Sequence, residues 1–381
     1  METADVVIVG GGVIGASVAW RLAQLGCTDV VLLERDVSLS AGSTGRSVGG
    51  IRHGFSSAVN VALSLASSAH FRRFTDDTGE PAHFVWNGYL FLLDDEDDLR
   101  VFEGEVAMQQ SLGVQGVRLV SPDDIKALVP QINVDGLTGG TICASDGVGD
   151  PYSICQGYAA AARRAGVRVR TGVAVTGICV EGGRVAVVDT SEGPIACRWV
   201  VNCAGPWAAQ IGEMAGVDLP IVPLKRQVYI TDRFDGLAPD VPMTVDFGPS
   251  FYFRREGAGI VFGMTDKTQP PGFDLTLDPA WLSVTIEQAL RRVPVLAEAR
   301  VMRGWAGLYD TTPDGNPILG AVPDVAGFLV AAGFSGHGFM HSPATGQIIA
   351  EMIVGREPFI DVSELGIGRF SAAVRREHNV I

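Results

Sequence analysis

The chain has 381 residues, of which 47% are hydrophobic and 19% are charged, and it contains 48 glycines. This composition is typical of one large or two medium globular domains and excludes a disordered chain. The net charge of −14 predicts an acidic surface that repels phosphate backbones, which excludes nucleic acid as a partner. Apolar runs such as 327–334 are much shorter than the roughly 20 residues of a membrane span, and no signal-peptide pattern occurs. We therefore expect a soluble, cytoplasmic protein.

The six cysteines are scattered through apolar surroundings and form no C-x-x-C pair. This spacing predicts neither a zinc site nor an iron–sulfur cluster, so we expect no metal and reduced, buried thiols.

The first 35 residues read as a β-α-β unit, with strands at 5–9 and 30–33 around a helix at 14–25. Gly10-x-Gly12-x-x-Gly15 joins the first strand to the helix, and Glu34 ends the second strand. Such glycines let the main chain approach a pyrophosphate at a helix N-terminus, and an acidic residue at that spacing accepts hydrogen bonds from a ribose. The motif predicts a dinucleotide but leaves NAD and FAD open.

The remaining hydrophobic patterns predict further helices and strands, with no repeat and no long linker. Helices are predicted at about 56–78, 95–111, 152–165, 280–292 and 338–354, and strands at 88–93, 167–170, 173–188 (a hairpin), 198–202, 227–231, 250–254, 260–264 and 328–332. The strands between 224 and 308 indicate an antiparallel sheet. The chain is therefore expected to pass several times between two domains.

Residues 38–57 are rich in glycine and serine and have no periodicity. An NAD enzyme would begin its next β-α unit here, whereas this segment supplies hydroxyl groups, glycines and two arginines, Arg46 and Arg52. An extended dinucleotide with a large ring needs such a loop, so the segment favours FAD.

With this loop the chain resembles the FAD-dependent amine oxidoreductases of the D-amino-acid oxidase superfamily. It is most similar to sarcosine oxidases, above all to the β subunits of heteromeric sarcosine oxidases and of L-proline dehydrogenases. Three more segments carry the resemblance: Trp199–Trp207 (WVVNCAGPW), Gly304–Gly315 (GWAGLYDTTPDG) and Ala332–Phe339 (AGFSGHGF).

The resemblance implies an α/β plus α+β fold, in which an FAD-binding Rossmann-like domain is interleaved with an antiparallel-sheet substrate domain. The FAD-binding domain would comprise 1–85, 145–223 and 310–381, and the substrate domain 86–144 and 224–309. The expected FAD-binding residues are Gly10, Gly12, Val13, Ile14, Gly15, Glu34, Arg35, Ser43, Thr44, Arg46, Ser47, Val173, Ala204, Gly205, Trp207, Gly336, His337, Gly338, Phe339 and Met340. The helix beginning near Gly338 would direct its positive end toward the flavin ring, which favours reduction.

Departures from the family pattern are also informative. Gly307 stands where monomeric sarcosine oxidases have the cysteine that attaches the flavin, so we expect non-covalent FAD. Tyr309 stands where glycine oxidases have a carboxylate-binding arginine, and Met340 where sarcosine oxidases have a second clamp, a lysine. Arg52 is then the expected carboxylate clamp, although it could instead hold the FAD loop.

Tyr252, Tyr309 and His337 complete the expected catalytic set with Arg52. For the two tyrosines a place in the core, and for His337 a turn without flavin contact, are the alternatives. The strand at 260–265 carries no cation, which predicts a slow reaction of the reduced enzyme with oxygen.

The resemblance implies hydride transfer to flavin N5 from a secondary amine or imino acid such as sarcosine, proline or another N-alkyl amino acid, and an imine that hydrolyses. A small amine or amino acid is thus the expected ligand, with a partner flavoprotein subunit or an electron carrier as a further partner. Two alternatives stay open: a flavin-containing relay or assembly subunit without an amine site, and an NADPH-dependent hydroxylase.

Overall fold

The computed structural model describes residues 1–371 and 376–380. Within these residues the chain forms nineteen strands, ten α-helices and four short 3-10 helices. The strands are β1 Glu2–Val9, β2 Val30–Glu34, β3 Gly50–Ile51, β4 Phe84–Val85, β5 Tyr89–Leu93, β6 Val117–Val120, β7 Gly139–Cys143, β8 Gly147–Gly149, β9 Arg168–Thr171, β10 Val175–Glu181, β11 Arg184–Thr190, β12 Ile195–Asn202, β13 Val222–Thr231, β14 Met243–Asp246, β15 Phe251–Glu256, β16 Gly259–Met264, β17 Val301–Thr311, β18 Ile318–Ala321 and β19 Phe328–Ala332. The α-helices are α1 Val13–Gln24, α2 Ser43–Arg46, α3 Ala58–Phe71, α4 Phe74–Thr78, α5 Glu96–Ser111, α6 Pro122–Leu128, α7 Pro151–Arg164, α8 Ala208–Met214, α9 Pro279–Arg292 and α10 Gly338–Ile353.

The first sheet grows from the β-α-β unit at the start of the chain. Its order is β10-β11-β12-β1-β2-β9, and β19 pairs with β12 and carries β18. The pairs among β1, β2, β9, β12 and β19 are parallel. Val6 and Ile8 pack in one apolar cluster with residues of α1, α7 and α10, while Val7 and Val9 pack in another with residues of α8. Both faces are covered, which explains why the second half of β1, residues 6–9, is continuously apolar.

The second sheet has the order β17-β13-β16-β15-β14-β5-β7-β6 and is antiparallel except for the pair β5–β14. Phe251 and Phe253 on β15 face a core that also contains residues of α9, whereas Tyr252 between them faces the other side. A small third sheet has the order β3-β8-β4. Along the chain, its strands come between strands of the first and second sheets. The predicted fold class, α/β plus α+β with a Rossmann-like unit, is confirmed.

Several element boundaries differ from the predictions. The single helix predicted at 56–78 is interrupted at Arg72 and Arg73, so it forms α3 and α4. The pattern analysis also missed β6, β7 and α6 between residues 117 and 143. Strands of the first sheet fall within 2–34, 168–202 and 318–332, and those of the second within 89–143 and 222–311. The division into two domains with the boundaries given above stays a prediction.

The topology brings three loops to one edge of the first sheet. The carboxyl ends of the parallel strands β1, β12 and β19 lead into the segments 10–12, 203–207 and 333–337. In open α/β sheets this edge is where ligands bind.

Candidate functional site

The first wall of the site is the glycine turn between β1 and α1. Gly10 has φ 113°, and a Cβ there would lie 2.4 Å from the carbonyl oxygen of Cys203. A Cβ on Gly15 would lie 2.0 Å from the oxygen of Gly10, so Gly15 lets the helix pack on its own turn. The hydroxyl of Thr44 accepts a hydrogen bond from the Val13 N–H at 3.0 Å. Gly12, Val13 and Ile14, at the N-terminus of α1, line the cavity described below.

Glu34 stabilises the same turn. Its carboxylate accepts hydrogen bonds from the N–H groups of Gly11, at 2.8 Å, and of Asp36, at 2.9 Å. Burial raises the pKa of Glu34, and the two backbone hydrogen bonds oppose that shift. The carboxylate therefore lies at the position predicted for a ribose contact while it also holds the turn.

The glycine- and serine-rich loop crosses from the first sheet to β17. The hydroxyl of Ser43 donates to the Leu308 carbonyl at 2.6 Å, and Arg46 donates to the Ala306 carbonyl at 2.9 Å. The indole of Trp305 donates back to the carbonyl of Arg46 at 2.9 Å. The side chains of Ser43 and Arg46 thus join the two sheets, a role that their sequence context did not reveal.

One continuous cavity runs between the two sheets. At one end it is lined by Glu34, Arg35, Val173 and Trp207. Its other end, here called the chamber, is lined by Arg52, Tyr89, Arg226, Met243, Tyr252, Tyr309 and His337. All the residues predicted for FAD binding line this cavity except Gly15, and so do the four predicted catalytic residues. Of the predicted FAD-binding set, Gly15 is therefore a packing residue.

The α10 turn closes the chamber on one side. Gly336 has φ 96°, and a Cβ there would lie 2.4 Å from Cε2 of Tyr309. The carboxylate of Asp310 accepts hydrogen bonds from the N–H groups of Gly333, at 2.7 Å, and of Phe334, at 3.2 Å. Burial raises the pKa of Asp310 to about 6. These contacts fix the turn that leads into α10.

Arg52 is almost fully enclosed, with 2% of its surface exposed. Its guanidinium donates to the carbonyl of Asn379 at 2.6 Å and to the carbonyl of Gly54, and it lies 4.0 Å from the centre of the Phe55 ring. One Nη also lies 3.2 Å from Nε2 of His337. Much of the donor capacity of Arg52 is therefore used within the protein, and part of it remains for a ligand.

His337 is a neutral imidazole whose tautomer follows from Arg52. Burial, and then the charge of Arg52, hold the pKa of His337 well below its usual range. An arginine only donates, so Nε2 of His337 accepts and Nδ1 carries the proton. Among the described residues Nδ1 has no hydrogen-bond partner. It is a buried donor without a partner on a residue that lines the chamber.

Three tyrosines line the chamber: Tyr89 and Tyr252, which are buried, and Tyr309, which is half-buried. Burial raises the pKa of each, so all three hydroxyls are protonated at neutral pH. The Tyr252 hydroxyl fits in its place because residue 263 is glycine, since a Cβ at Gly263 would lie 2.4 Å from that hydroxyl. The sequence predicted Tyr252 and Tyr309 but missed Tyr89.

Arg226 and Met243 are the other chamber residues that the sequence did not reveal. On β13, Gln227 is buried on the face away from the cavity, whereas Arg226 and Val228 line it. Period-2 alternation from residue 222 would have placed Arg226 on this face, but the strand was predicted to start only at Gln227. The chamber thus contains a cation on β13, although β16 has none.

A cluster behind the chamber, His53, Cys143 and Asp146, has ligand atoms within 4.8 Å of one another. The Asp146 carboxylate accepts from both the backbone N–H and Nδ1 of His53. Burial raises the pKa of the Cys143 thiol, so the thiol stays protonated. The hydrogen bonds between His53 and Asp146 therefore support the segment that carries Arg52.

These residues fit FAD. The glycine turn predicted to bind phosphate and Glu34, the predicted ribose acceptor, lie at one part of the cavity, and His337 lies at the other, beside the start of α10. Gly307 leaves no nucleophile at the position of the attachment cysteine, and a Cβ there would lie 3.0 Å from Cβ of Arg46.

Comparison with known proteins identifies the family. The model described as FAD dependent oxidoreductase (DAO) matches residues 5–352 of the chain. The chain belongs to this family. The predicted resemblance to the D-amino-acid oxidase superfamily is therefore confirmed, and FAD is its cofactor.

Comparison with individual relatives of this FAD-dependent oxidoreductase supports the same family assignment. Mitochondrial sarcosine dehydrogenase from Mus musculus is 34% identical over 97% of the chain, but the chain spans only 42% of that protein. FAD-dependent oxidoreductase domain-containing protein 1 from Xenopus laevis is 33% identical over 100% of the chain and 85% of its own length. The crystal structure of L-proline dehydrogenase from P. horikoshii has a TM-score of 0.92 and 31% identity, covering 98% of this chain and 100% of that one. No helix in the described part of the chain has the length and apolarity needed to cross a bilayer.

Proposed function

We propose that this chain catalyses the FAD-dependent oxidation of the C–N bond of a secondary amine or imino acid. The observation that carries the proposal is the chamber, where Arg52, His337 and three tyrosines line one cavity that begins at the glycine turn. Sarcosine dehydrogenase and L-proline dehydrogenase are named for substrates of this class. Sarcosine, proline and other N-alkyl amino acids are the candidate substrates.

The residues that line the cavity would hold FAD, which would supply an acceptor for a hydride from the carbon beside the amine nitrogen; the resulting imine would be hydrolysed by water. The residues of the chain bind and orient the amine. The protonated hydroxyls of Tyr89 and Tyr252 can exchange hydrogen bonds with an uncharged amine, and their rings exclude water from the chamber. Arg52 and Tyr309 would orient the carboxylate of the substrate.

No chamber side chain is needed as a general base. The Nε2 lone pair of His337 is engaged by Arg52, and Asp310 already accepts two backbone hydrogen bonds. The Nε2 lone pair of His337 is therefore not free to take a proton from the substrate, and the Asp310 carboxylate serves the turn into α10. This favours a substrate that enters as the neutral amine.

The same chamber favours an amine site over a relay subunit. Arginine and tyrosine buried beside a cavity cost folding free energy unless a ligand satisfies them. A partner subunit or electron carrier and a cytoplasmic location complete the proposal.

An anaerobic titration tests the proposal. Holoprotein is mixed with a panel of sarcosine, dimethylglycine, L-proline and glycine, and the visible absorbance of oxidised flavin is followed. At least one secondary or tertiary amino acid is expected to remove this absorbance. Bleaching by NADPH instead would indicate a hydroxylase, and no bleaching by any amine would contradict the proposed function.

A further inference from the structure

The chamber holds two guanidinium groups that have no acidic partner among the described residues, those of Arg52 and Arg226. Buried arginines elsewhere in the chain are paired: Arg292 with Asp246 and Arg369 with Asp314, both at 2.8 Å. Since buried charges are normally paired, an unpaired guanidinium that lines a cavity indicates an anionic ligand.

Arg226 has the more available guanidinium of the two. One Nη donates to the carbonyl of its neighbour Lys225 at 3.0 Å, and the guanidinium makes no hydrogen bond to another element among the described residues. Arg52, by contrast, donates to two carbonyl groups and to His337. Arg226 can therefore offer a carboxylate more than one N–H donor without breaking any bond to another element.

The position of Tyr309 indicates where Arg226 would meet a ligand. The guanidinium of Arg226 lies 4.8 Å from the centre of the Tyr309 ring. The charges of Arg226 and of Arg52 both lower the pKa of Tyr309, against the larger effect of burial. Both guanidinium groups are therefore close enough to the Tyr309 hydroxyl to act on it electrostatically. The nearby Asp266 already accepts hydrogen bonds from Thr268 and forms no ion pair with Arg226. An anion beside the Tyr309 hydroxyl would thus meet two cations.

We propose that Arg226 binds the carboxylate of the substrate at Tyr309, with Arg52 as its second contact. This assignment rests on the proposed amine oxidation and makes the substrate class more definite: an amino acid, rather than an amine without a carboxylate. It also supplies a second cation for the carboxylate clamp. At the position where sarcosine oxidases have a lysine for this purpose, this chain has Met340.

The test uses R226Q, R226K and R52Q, with R303Q as the control. Arg303 is exposed and lies on β17, in the sheet that carries Arg226. Two quantities are measured on FAD-loaded protein. The first is the dissociation constant of a carboxylate without an oxidisable amine, 2-furoate, from its perturbation of the oxidised flavin spectrum. The second is the ratio of half-saturating concentrations for pyrrolidine and L-proline, which differ only in the carboxylate.

R226Q is expected to weaken 2-furoate binding by about tenfold to a hundredfold, as the loss of a charge-assisted pair implies. The preference for proline over pyrrolidine should fall by a similar factor, while the FAD content stays unchanged. R226K should lie between R226Q and the native protein, and R303Q should match the native protein.

Three results would overturn the assignment: unchanged 2-furoate binding in R226Q, complete loss of that binding in R52Q alone, or loss of FAD from R226Q. The last would show that Arg226 serves the cofactor. If no amine reduces the native flavin, the proposed function fails, but the 2-furoate titration still decides the role of Arg226.

Discussion

At the scale of single residues, the role of a side chain depends on its neighbours in the fold as well as on its residue type. Arg52 was predicted as the carboxylate clamp, and its geometry shows a guanidinium already bound to two carbonyl groups and to His337. Its role as a clamp stays a prediction. The expected slow reaction with oxygen rested on the lack of a cation in the segment 260–265, and Arg226 on the neighbouring strand removes that basis.

Gly307 leads to the first prediction. Because no side chain at this position can attack the flavin, FAD should be bound without a covalent bond. Acid precipitation of the holoprotein should release all yellow colour into the supernatant. Colour that stays in the pellet after washing would contradict this and would indicate a nucleophile elsewhere in the cavity.

Asp310 leads to a prediction about pH. Burial raises its pKa from 3.8 to about 6, so the folded state binds this proton more tightly than the unfolded chain does. The resulting stabilisation is present below pH 4 and is lost as the pH rises through about 6. Relative to D310N, the native apoprotein should lose roughly 1 kcal/mol of unfolding free energy between pH 5.5 and 7.5. Urea unfolding of both proteins at the two pH values measures this, and a difference that does not change with pH would contradict it.

At the scale of elements, the turns and loops around the cavity are more constrained than their sequences suggest. The turn into α10 is the clearest case. Gly336 combines φ 96° with direct contact to the Tyr309 ring, so G336A should displace either the turn or the tyrosine. We expect G336A to lose most of its FAD on gel filtration. G368A is the control, because no atom of residues 1–371 or 376–380 lies within 4 Å of a Cβ at Gly368. Full FAD retention by G336A would contradict the account.

The loop between β16 and α9 reaches across to the other end of the cavity. Its Phe273 stacks on Trp207 with ring centres 5.4 Å apart, and Arg35 lies 3.8 Å from the centre of the Trp207 ring on the cavity wall. Because this stack covers the dinucleotide end, F273A should release FAD several times faster than the native protein, as the loss of an aromatic contact worth about 1 kcal/mol implies. Recovery of flavin fluorescence after dilution measures the release. F359A, which removes another exposed phenylalanine, should behave like the native protein, and equal release rates for all three would contradict the prediction.

At the scale of the whole molecule, the parts that were predictable from the sequence are those with local signals. The glycine turn, Glu34 and the central strands β1, β2 and β19 follow from short-range patterns, because each of these strands carries a buried apolar run. The chamber follows from pairing between distant segments: Tyr89 comes from β5 and Arg226 from β13, and only the order of the second sheet brings them to one cavity. No local signal marks the segments 117–120 and 139–143 as paired strands, because β7 begins with two glycines.

The support of Arg52 is also a long-range feature. The segment 377–380 lies against it: Asn379 accepts from Arg52, and Glu377 accepts from Ser56 and Asn60. Nothing in the sequence of this segment predicts that it completes the wall behind the chamber. The residues that hold a catalytic side chain can therefore be far from it in the chain, even where the side chain itself is recognisable.

The most direct test of the central claim compares sarcosine with glycine, which differ only in the N-methyl group, on one holoprotein sample under anaerobic conditions. L-proline serves as a second secondary amine, and dithionite shows that the flavin can be reduced. The account predicts that sarcosine or proline bleaches the flavin as fully as dithionite does, at concentrations at which glycine has little effect. A flavin that dithionite reduces but that neither secondary amine reduces would contradict it.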